Sequence, residues 1–308
     1  MQLTGLIAAT FTPFDAQGKI NLGAIPDMVE TLVANRISGI YVCGSTGEGH
    51  SLTVAERKTL TEAFHAASAG RMKTIVNVGH NCLDDACDLA AHSAEIGVDA
   101  VSAAPPTYYK ITSEKQLVKT LGKITSAAPD MPFYYYHIPA ITRVELDMAE
   151  VLRLSADMLP SLHGIKFTAP NIHEYQRCLE ESNGKHQILF GMDEMLLSAL
   201  GVGATCMIGS TYNFMPGLYH AIIENFRNGN HDAARAYQYK AVQVINAFLK
   251  FSSLPAQKFI MRLVGMDCGT VRLPLQDLTA EEQKALETEL SKFDLKRWVK
   301  GKERISAL

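Results

Sequence analysis

Eight short apolar segments, each followed by a longer segment or loop leading to one, recur along about two thirds of this chain. The short segments are rich in β-branched and aromatic residues, and most of the longer ones carry apolar residues at helical spacing. The predicted strands cover residues 6–9, 40–42, 74–77, 100–102, 133–136, 162–168, 188–190 and 204–208. Strand–helix units repeated this regularly predict a parallel sheet, and eight of them predict a closed (β/α)8 barrel, the TIM barrel of the α/β class.

A doubly wound sheet is the alternative for this pattern, and it would place a glycine-rich phosphate loop after an early strand. Glycines 44, 47 and 49 follow the second strand but lack the G-x-G-x-x-G spacing, so we favour the barrel. Beyond the eighth strand, predicted helices cover residues 218–226, 233–249, 256–264 and 280–293. We expect residues 1–225 to form the barrel that carries the active site, and residues 226–308 to form a C-terminal helical appendage packed on it.

Composition excludes several classes of function. The net charge of −3 offers no basic surface for nucleic acid. No basic region precedes the apolar residues 6–9, and Pro13 follows closely, so we expect neither a signal peptide nor a membrane span. The six cysteines are scattered, which favours buried thiols in a reducing compartment, the cytoplasm. Cys82 and Cys87 have no second pair at zinc-ligand spacing, so we expect no metal and no other cofactor.

Lys166 is the most reactive side chain in the sixth predicted strand. Because side chains alternate along a strand, Leu162, Gly164 and Lys166 should share the inner face, with Ile165 and Phe167 on the outer one. The lysine would then emerge at the carboxyl end of the barrel, where such folds place their active sites. An amine desolvated there has a lowered pKa and attacks ketones readily. The alternative is a lysine that extends its ammonium group to solvent.

Other motifs fall at the carboxyl ends of predicted strands: G-S-T-G-E at 44–48, Y-Y-Y-H-I-P at 134–139, G-M-D-E at 191–194 and G-S-T-Y-N at 209–213. A glycine-rich turn with two hydroxyl groups suits a carboxylate, and a tyrosine within reach of an imine can exchange a proton. Structural explanations also exist. Ser45 and Thr46 could simply form a tight turn, and Tyr136 could be a core aromatic. Asp193 and Glu194 could stabilise the start of the following helix.

Taken together, the order, spacing and content of these motifs resemble the N-acetylneuraminate lyase and dihydrodipicolinate synthase superfamily over essentially the whole chain. The resemblance implies a class I, Schiff-base aldolase that acts on a small molecule, usually as a homotetramer. It implies that Lys166 forms the Schiff base, that Tyr136 shuttles a proton, and that Ser45 and Thr46 hold the carboxylate of a 2-keto acid. It further implies that Tyr109 reaches into a neighbouring subunit's site and joins Ser45 and Tyr136 in a proton relay.

Two features favour the lyase branch of the superfamily. Synthases that use aspartate semialdehyde carry an arginine where this chain has Ile141, and Arg143 lies two residues too late. The motifs at 191–194 and 210–213 look like those of the lyases. This resemblance implies that a set of polar positions holds the tail of a sugar acid. These substrate-binding positions are Thr168, Gly191, Asp193, Glu194 and Ser210.

The resemblance therefore implies cleavage of N-acetylneuraminate to pyruvate and N-acetylmannosamine. The alternatives are another pyruvate-dependent 2-keto-3-deoxy sugar acid aldolase, dihydrodipicolinate synthase, or a non-catalytic 2-keto acid sensor. An intact Lys166 and Tyr136 argue against the sensor. His137 stands where many bacterial members have asparagine, as in the animal-type lyases, and either touches the sugar or braces the loop.

Overall fold

The computed structural model describes residues 2–300, and its eight strands form one closed barrel. Every strand pairs in parallel with its two neighbours, in chain order from β1 to β8, so the predicted (β/α)8 barrel is confirmed. The strands are β1 (Gly5–Ala9), β2 (Gly39–Val42), β3 (Lys73–Asn77), β4 (Ala100–Ala103), β5 (Phe133–His137), β6 (Leu162–Phe167), β7 (Gln187–Phe190) and β8 (Cys206–Gly209).

Helices connect the strands on the outside and continue after the last one. Those of the barrel are α1 (Ile25–Ala34), α2 (Val54–Ser68), α3 (Leu83–Glu95), α4 (Glu114–Thr125), α5 (Pro139–Thr142), α6 (Met148–Met158), α7 (Ile172–Ser182) and α8 (Leu196–Gly201). The later ones are α9 (Pro216–Arg227), α10 (His231–Phe248), α11 (Ser253–Leu263) and α12 (Ala280–Leu290).

Helix starts follow the local sequence closely. Thr53 and Glu56 form a reciprocal capping box at α2, and Thr279 and Glu282 form another at α12. At α4 only half of such a box forms. Ser113 accepts a hydrogen bond from the Gln116 amide, while the Gln116 side chain accepts from the amide of Thr112 instead.

Side chains inside the barrel form a separate apolar cluster from those that face the helices. The interior cluster contains Leu3, Ile7, Ala9, Tyr41, Ile75, Ala100, Ala104, Tyr134, Tyr136, Ile138, Leu189, Cys206 and Ile208. Such a packed interior is the rule for this fold, and it leaves room for a ligand only at the carboxyl ends of the strands.

A β-bulge in β6 corrects one sequence expectation. The pairing with β5 runs Phe133 to Leu162 and then Tyr134 to Gly164, so His163 is the extra residue. Leu162 consequently packs in the outer core, and the prediction that it shares a face with Lys166 is wrong. Gly164 is required at the bulge, because a Cβ there would lie 1.8 Å from the carbonyl oxygen of Gln187.

The C-terminal helices pack against the barrel helices and the strand ends. Helix α10 packs along α9, and its Gln238 side chain hydrogen-bonds the backbone that follows β7. Helix α9 crosses the predicted boundary at residue 225. The division into residues 1–225 and 226–308 stays a prediction, and residues 301–308 lie outside the described part of the chain. Among residues 2–300, no helix is both long enough and apolar enough to span a bilayer.

Candidate active site

Lys166 lies near the carboxyl end of β6 and points into the barrel. Only 4% of the residue is exposed, so its ammonium group does not extend to solvent. Its Nζ sits 3.9 Å from the ring centroid of Tyr41 and 3.8 Å from that of Tyr136. Burial lowers the pKa of Lys166 to about 7, although the nearby Asp193 carboxylate acts in the opposite direction. A large fraction of the amine is therefore neutral, and nucleophilic, near neutral pH.

Tyr136 faces the same cavity from β5, the strand beside β6. Its hydroxyl oxygen lies 3.5 Å from the Ser45 hydroxyl oxygen, close enough for a hydrogen bond in either direction. Burial raises the pKa of Tyr136 to about 12, against the effect of the neighbouring hydroxyl groups of Ser45 and Thr168. The phenol therefore keeps its proton at neutral pH and is suited to donating or relaying it.

Tyr41 belongs to the site although sequence reasoning did not select it. Its ring covers Lys166, packs edge-on against Tyr136 at 5.7 Å, and its hydroxyl group donates to Ser102 at 3.1 Å. The signal that could have found it is strand alternation. Tyr41 occupies an inward-facing position of β2, and the G-S-T-G-E motif begins three residues later, just after this strand.

The G-S-T-G-E motif forms a tight turn after β2 whose glycines are needed for close packing. A Cβ on Gly44 would lie 2.6 Å from the Tyr41 ring, and one on Gly49 would lie 2.0 Å from the carbonyl oxygen of Cys43. The turn is fixed from both sides. The Thr12 hydroxyl donates to the carbonyl oxygen of Gly47 at 2.6 Å, and Asn77 donates to that of Cys43 at 2.9 Å. Ser45 and Thr46, at the head of this turn, line the cavity that holds Lys166.

The polar positions predicted for the substrate tail line the same cavity from the ends of β6, β7 and β8. These are Thr168, Gly191, Asp193, Glu194 and Ser210. The Thr168 hydroxyl and one oxygen of Asp193 are buried and have no hydrogen-bond partner among the described residues. Gly191 brings the chain close to Thr168, since a Cβ there would lie 2.0 Å from the Thr168 hydroxyl oxygen.

Asp193 is held by the chain that follows β8, not by its own helix. Its other carboxylate oxygen accepts hydrogen bonds from the backbone amide and the hydroxyl of Thr211, at 2.9 and 2.6 Å. The turn that contains Asp193 begins at Met192 without a side-chain capping bond, and Asp193 and Glu194 are the acidic residues of its first turn. Burial raises the pKa of Asp193 to about 6, while the bonds from Thr211 act against that shift.

Tyr109, predicted to be catalytic, and His137, whose role the sequence leaves open, lie outside this cavity. Tyr109 is 83% exposed on the loop after β4, where it packs edge-on against Tyr108, and it does not line the cavity. His137 is buried on the outer face of β5, in ring contact with Tyr135 and Phe167, and burial lowers its pKa to about 4. Its position favours bracing of the outer layer over contact with a ligand in the barrel.

The cavity measures about 290 Å³, which suits a small molecule. A larger one of about 580 Å³ lies outside the barrel between α6 and α7, and it contains none of the predicted catalytic residues. Ile141 lines the smaller cavity, but Arg143 does not. Within residues 2–300, no three histidine, cysteine, aspartate or glutamate side chains gather in a way that could hold a metal ion.

An amine of lowered pKa at the carboxyl ends of a parallel barrel can form an imine with a ketone. Fold and cavity together therefore define a TIM-barrel protein with a site competent for Schiff-base chemistry. The chain belongs to the dihydrodipicolinate synthetase family, whose sequence profile matches residues 2–293. The resemblance found in the motifs is thereby confirmed.

Individual relatives place the chain within this family. It is 40% identical over 299 residues to N-acetylneuraminate lyase A of Xenopus laevis, covering 96% of this chain and 98% of that protein. The structure of Proteus mirabilis N-acetylneuraminate lyase matches with a TM-score of 0.93 and 35% identity, over 96% of this chain and 100% of that one. A structure described as the catalytic lysine mutant of the Ruminococcus gnavus sialic acid aldolase matches with a TM-score of 0.90 and 27% identity, over 96% and 97%.

Proposed function

We propose that this protein is an N-acetylneuraminate lyase, a carbon–carbon lyase that cleaves its substrate to pyruvate and N-acetylmannosamine. Relatives of that name align along nearly the whole chain, at 35% identity in zebrafish (Danio rerio) and 40% in Xenopus laevis. One observation carries the mechanism. The amine of Lys166 is desolvated between two tyrosine rings, inside a cavity that also contains the Ser45–Thr46 turn.

The reaction follows from a neutral Lys166. Its amine attacks the ketone carbon of the open-chain substrate, and the resulting carbinolamine takes up a proton and loses water to leave a protonated imine. When the hydroxyl group on the second carbon beyond the ketone loses its proton, the bond between the first and second carbons beyond the ketone breaks. The bonding electron pair moves into the imine as an enamine, and N-acetylmannosamine leaves as the aldehyde. Protonation of the enamine carbon and hydrolysis of the imine release pyruvate and restore the amine.

Tyr136 and the turn after β2 supply the proton transfer and the grip on the carboxylate. We assign to Tyr136 the exchange of protons with the reacting oxygen atoms, through its contact with Ser45. Ser45, Thr46 and the backbone N–H groups of their turn hold the substrate carboxylate, which needs no cation in a turn of this kind. These contacts serve any 2-keto acid and do not select among them.

Selectivity is assigned to the groups that meet the hydroxylated tail: Thr168, Gly191, Asp193, Glu194 and Ser210. A site built to hydrogen-bond hydroxyl groups rejects analogues that lack them, because its buried polar atoms are then left without partners. The unpartnered oxygen atoms of Thr168 and Asp193 support this assignment. The apolar Ile141 offers no anchor for a second carboxylate, which disfavours condensation with aspartate semialdehyde.

The proposed assembly is a homotetramer in the cytoplasm. Two adjacent tyrosines, Tyr108 and Tyr109, are 79% and 83% exposed, which is unusual for large aromatic side chains and suits a contact between subunits. In that assembly Tyr109 completes the proton relay of a neighbouring site. All six cysteines are free thiols, as expected in a reducing compartment.

The proposal is tested by following pyruvate release from N-acetylneuraminate in a coupled assay, with Lys166→Met as the inactive control. We expect turnover that survives prolonged chelation, because the imine takes the place of a metal as the electron sink. Faster turnover of a six-carbon 2-keto-3-deoxy acid would leave the imine mechanism standing and show that the branch is wrong. Ligand binding without turnover would identify a sensor.

A further inference from the structure

Helix α11, from the C-terminal region, supplies part of the wall of the active-site cavity. Ser253 and Gln257, one turn apart on this helix, both line the cavity that contains Lys166. Gln257 is only 7% exposed. Its side-chain nitrogen donates a hydrogen bond to the Ser253 hydroxyl oxygen at 3.2 Å. Its side-chain oxygen is buried and has no hydrogen-bond partner among residues 2–300.

A second buried glutamine in the C-terminal region is arranged differently. Gln238 on α10 is 8% exposed and uses both ends of its amide. Its oxygen accepts from the amide of Leu197 at 2.9 Å, and its nitrogen donates to the carbonyl oxygens of Asp193 and Glu194. A buried acceptor without a partner destabilises the protein that contains it. The unpartnered oxygen of Gln257 therefore lowers the stability of the free protein, whereas the oxygen of Gln238 does not.

We propose that Gln257 is a substrate-binding residue whose amide oxygen accepts a hydrogen bond from the sugar half of the substrate. This inference rests on the proposed lyase function. The pyruvate half carries a carboxylate and a ketone, which only accept hydrogen bonds, so it offers nothing to a free acceptor. The N-acetylmannosamine half carries several hydroxyl groups and an amide N–H, all of them donors. Gln257 thereby favours substrates that present a donor at its position over those that do not.

Replacement of Gln257 by methionine, which has a similar length and no acceptor oxygen, separates this role from a structural one. We expect the KM for N-acetylneuraminate to rise about three- to tenfold, the loss of one neutral hydrogen bond. Imine formation with pyruvate, measured by borohydride trapping, should keep the concentration dependence of the wild type. The unfolding midpoint in urea should stay level or rise, while the Gln238→Met control should lower it.

Substrate analogues identify the donor. One analogue carries a hydrogen atom in place of the acetamido group, and another has a shortened polyhydroxyl tail. For the analogue that lacks the partner of Gln257, the wild type and Gln257→Met should have equal KM values, whereas for the other the difference should persist.

Two results overturn the inference. One is an unchanged KM for N-acetylneuraminate in Gln257→Met, and the other is weakened pyruvate trapping that matches the loss for the long substrate. Gln257→Leu is the second variant, and failure of both variants to fold would show that the residue is structural. A wild-type protein that neither traps pyruvate nor cleaves N-acetylneuraminate contradicts the proposed function itself, whatever the variants do.

Discussion

Lys258 on α11 and Glu48 in the turn after β2 form an ion pair with 2.7 Å between Nζ and Oε1, and their side chains are 2% and 1% exposed. Lys258 also donates to the carbonyl oxygens of Thr12 and Thr270, at 2.9 and 2.6 Å. The second oxygen of Glu48 accepts from the backbone amide of Arg272 at 2.9 Å. The turn that carries Ser45 and Thr46 is therefore tied directly to the C-terminal helical region.

Removal of one partner of this pair should be far more damaging than removal of both. Lys258→Met leaves the Glu48 carboxylate buried without its counter-charge, so we expect a loss of about 3–5 kcal/mol in the free energy of unfolding. The double variant Lys258→Met with Glu48→Gln should recover much of that loss. Urea unfolding measures both effects. The exposed pair Lys250–Glu289 is the control, and Lys250→Met should cost less than about 1 kcal/mol. Equal costs for the two lysine variants would mean that the buried pair does not stabilise the turn.

The lowered pKa of Lys166 predicts how stability depends on pH. Burial shifts this pKa from 10.5 to about 7, so between these values the unfolded chain holds a proton on Lys166 that the folded protein does not. The unfolded state binds more protons, and the wild type should gain stability relative to Lys166→Met as pH rises above about 7, by up to about 1.4 kcal/mol per pH unit. Below pH 7 both states are protonated and the gap should be constant. Unfolding of both proteins across this range measures the slope. A gap that does not change with pH would indicate a lysine of ordinary pKa.

Glu194 and Asp193 should matter for the long substrate and little for pyruvate. Loss of a hydrogen bond to a charged group predicts that Glu194→Gln raises the KM for N-acetylneuraminate about tenfold to a hundredfold. Asp193→Asn also removes the negative charge that raises the pKa of Lys166, so its rate of pyruvate imine formation should reach its plateau at a lower pH than in the wild type. Steady-state kinetics and pH-dependent trapping measure the two effects. A Glu194→Gln protein that handles both ligands like the wild type would remove this residue from the tail site.

The role proposed for Tyr109 in a neighbouring subunit's site predicts that activity depends on assembly. Lys166→Met and Tyr109→Phe subunits, each inactive or weakly active alone, should recover part of the activity when unfolded together and refolded as mixed oligomers. The recovery follows if a lysine in one subunit works with the tyrosine of another. Size-exclusion chromatography with activity measured across the peak checks both assembly and recovery. Full activity in an isolated monomer would exclude a relay shared between subunits.

The barrel and most of the cavity could be predicted from the sequence because both depend on local patterns. Strand ends of a parallel barrel meet at one edge, so residues as distant in sequence as Ser45, Lys166 and Ser210 were expected together and do line one cavity. The inward position of Lys166 depended only on alternation near the end of β6. Leu162, four residues earlier, was misplaced because the bulge at His163 depends on how β5 and β6 pair, which no local pattern reports.

Gln257 and Tyr41 were missed for different reasons. Tyr41 stands at a predictable inward position, but an aromatic residue in a barrel strand is ordinarily core packing. Gln257 lies on a helix far along the chain, and its entry into the cavity depends on how α11 packs over the strand ends. Sequence reasoning treated that region as an appendage, whereas the structure places Ser253 and Gln257 in the wall of the site.

The central claim is that Lys166 forms an imine, and the direct measurement is reductive trapping with pyruvate and borohydride followed by mass spectrometry of the peptides. We predict one added pyruvate-derived group per chain, on the peptide that contains Lys166, and none in the Lys166→Met protein. An adduct on another lysine, or no adduct in a protein that still cleaves N-acetylneuraminate, would contradict the mechanism.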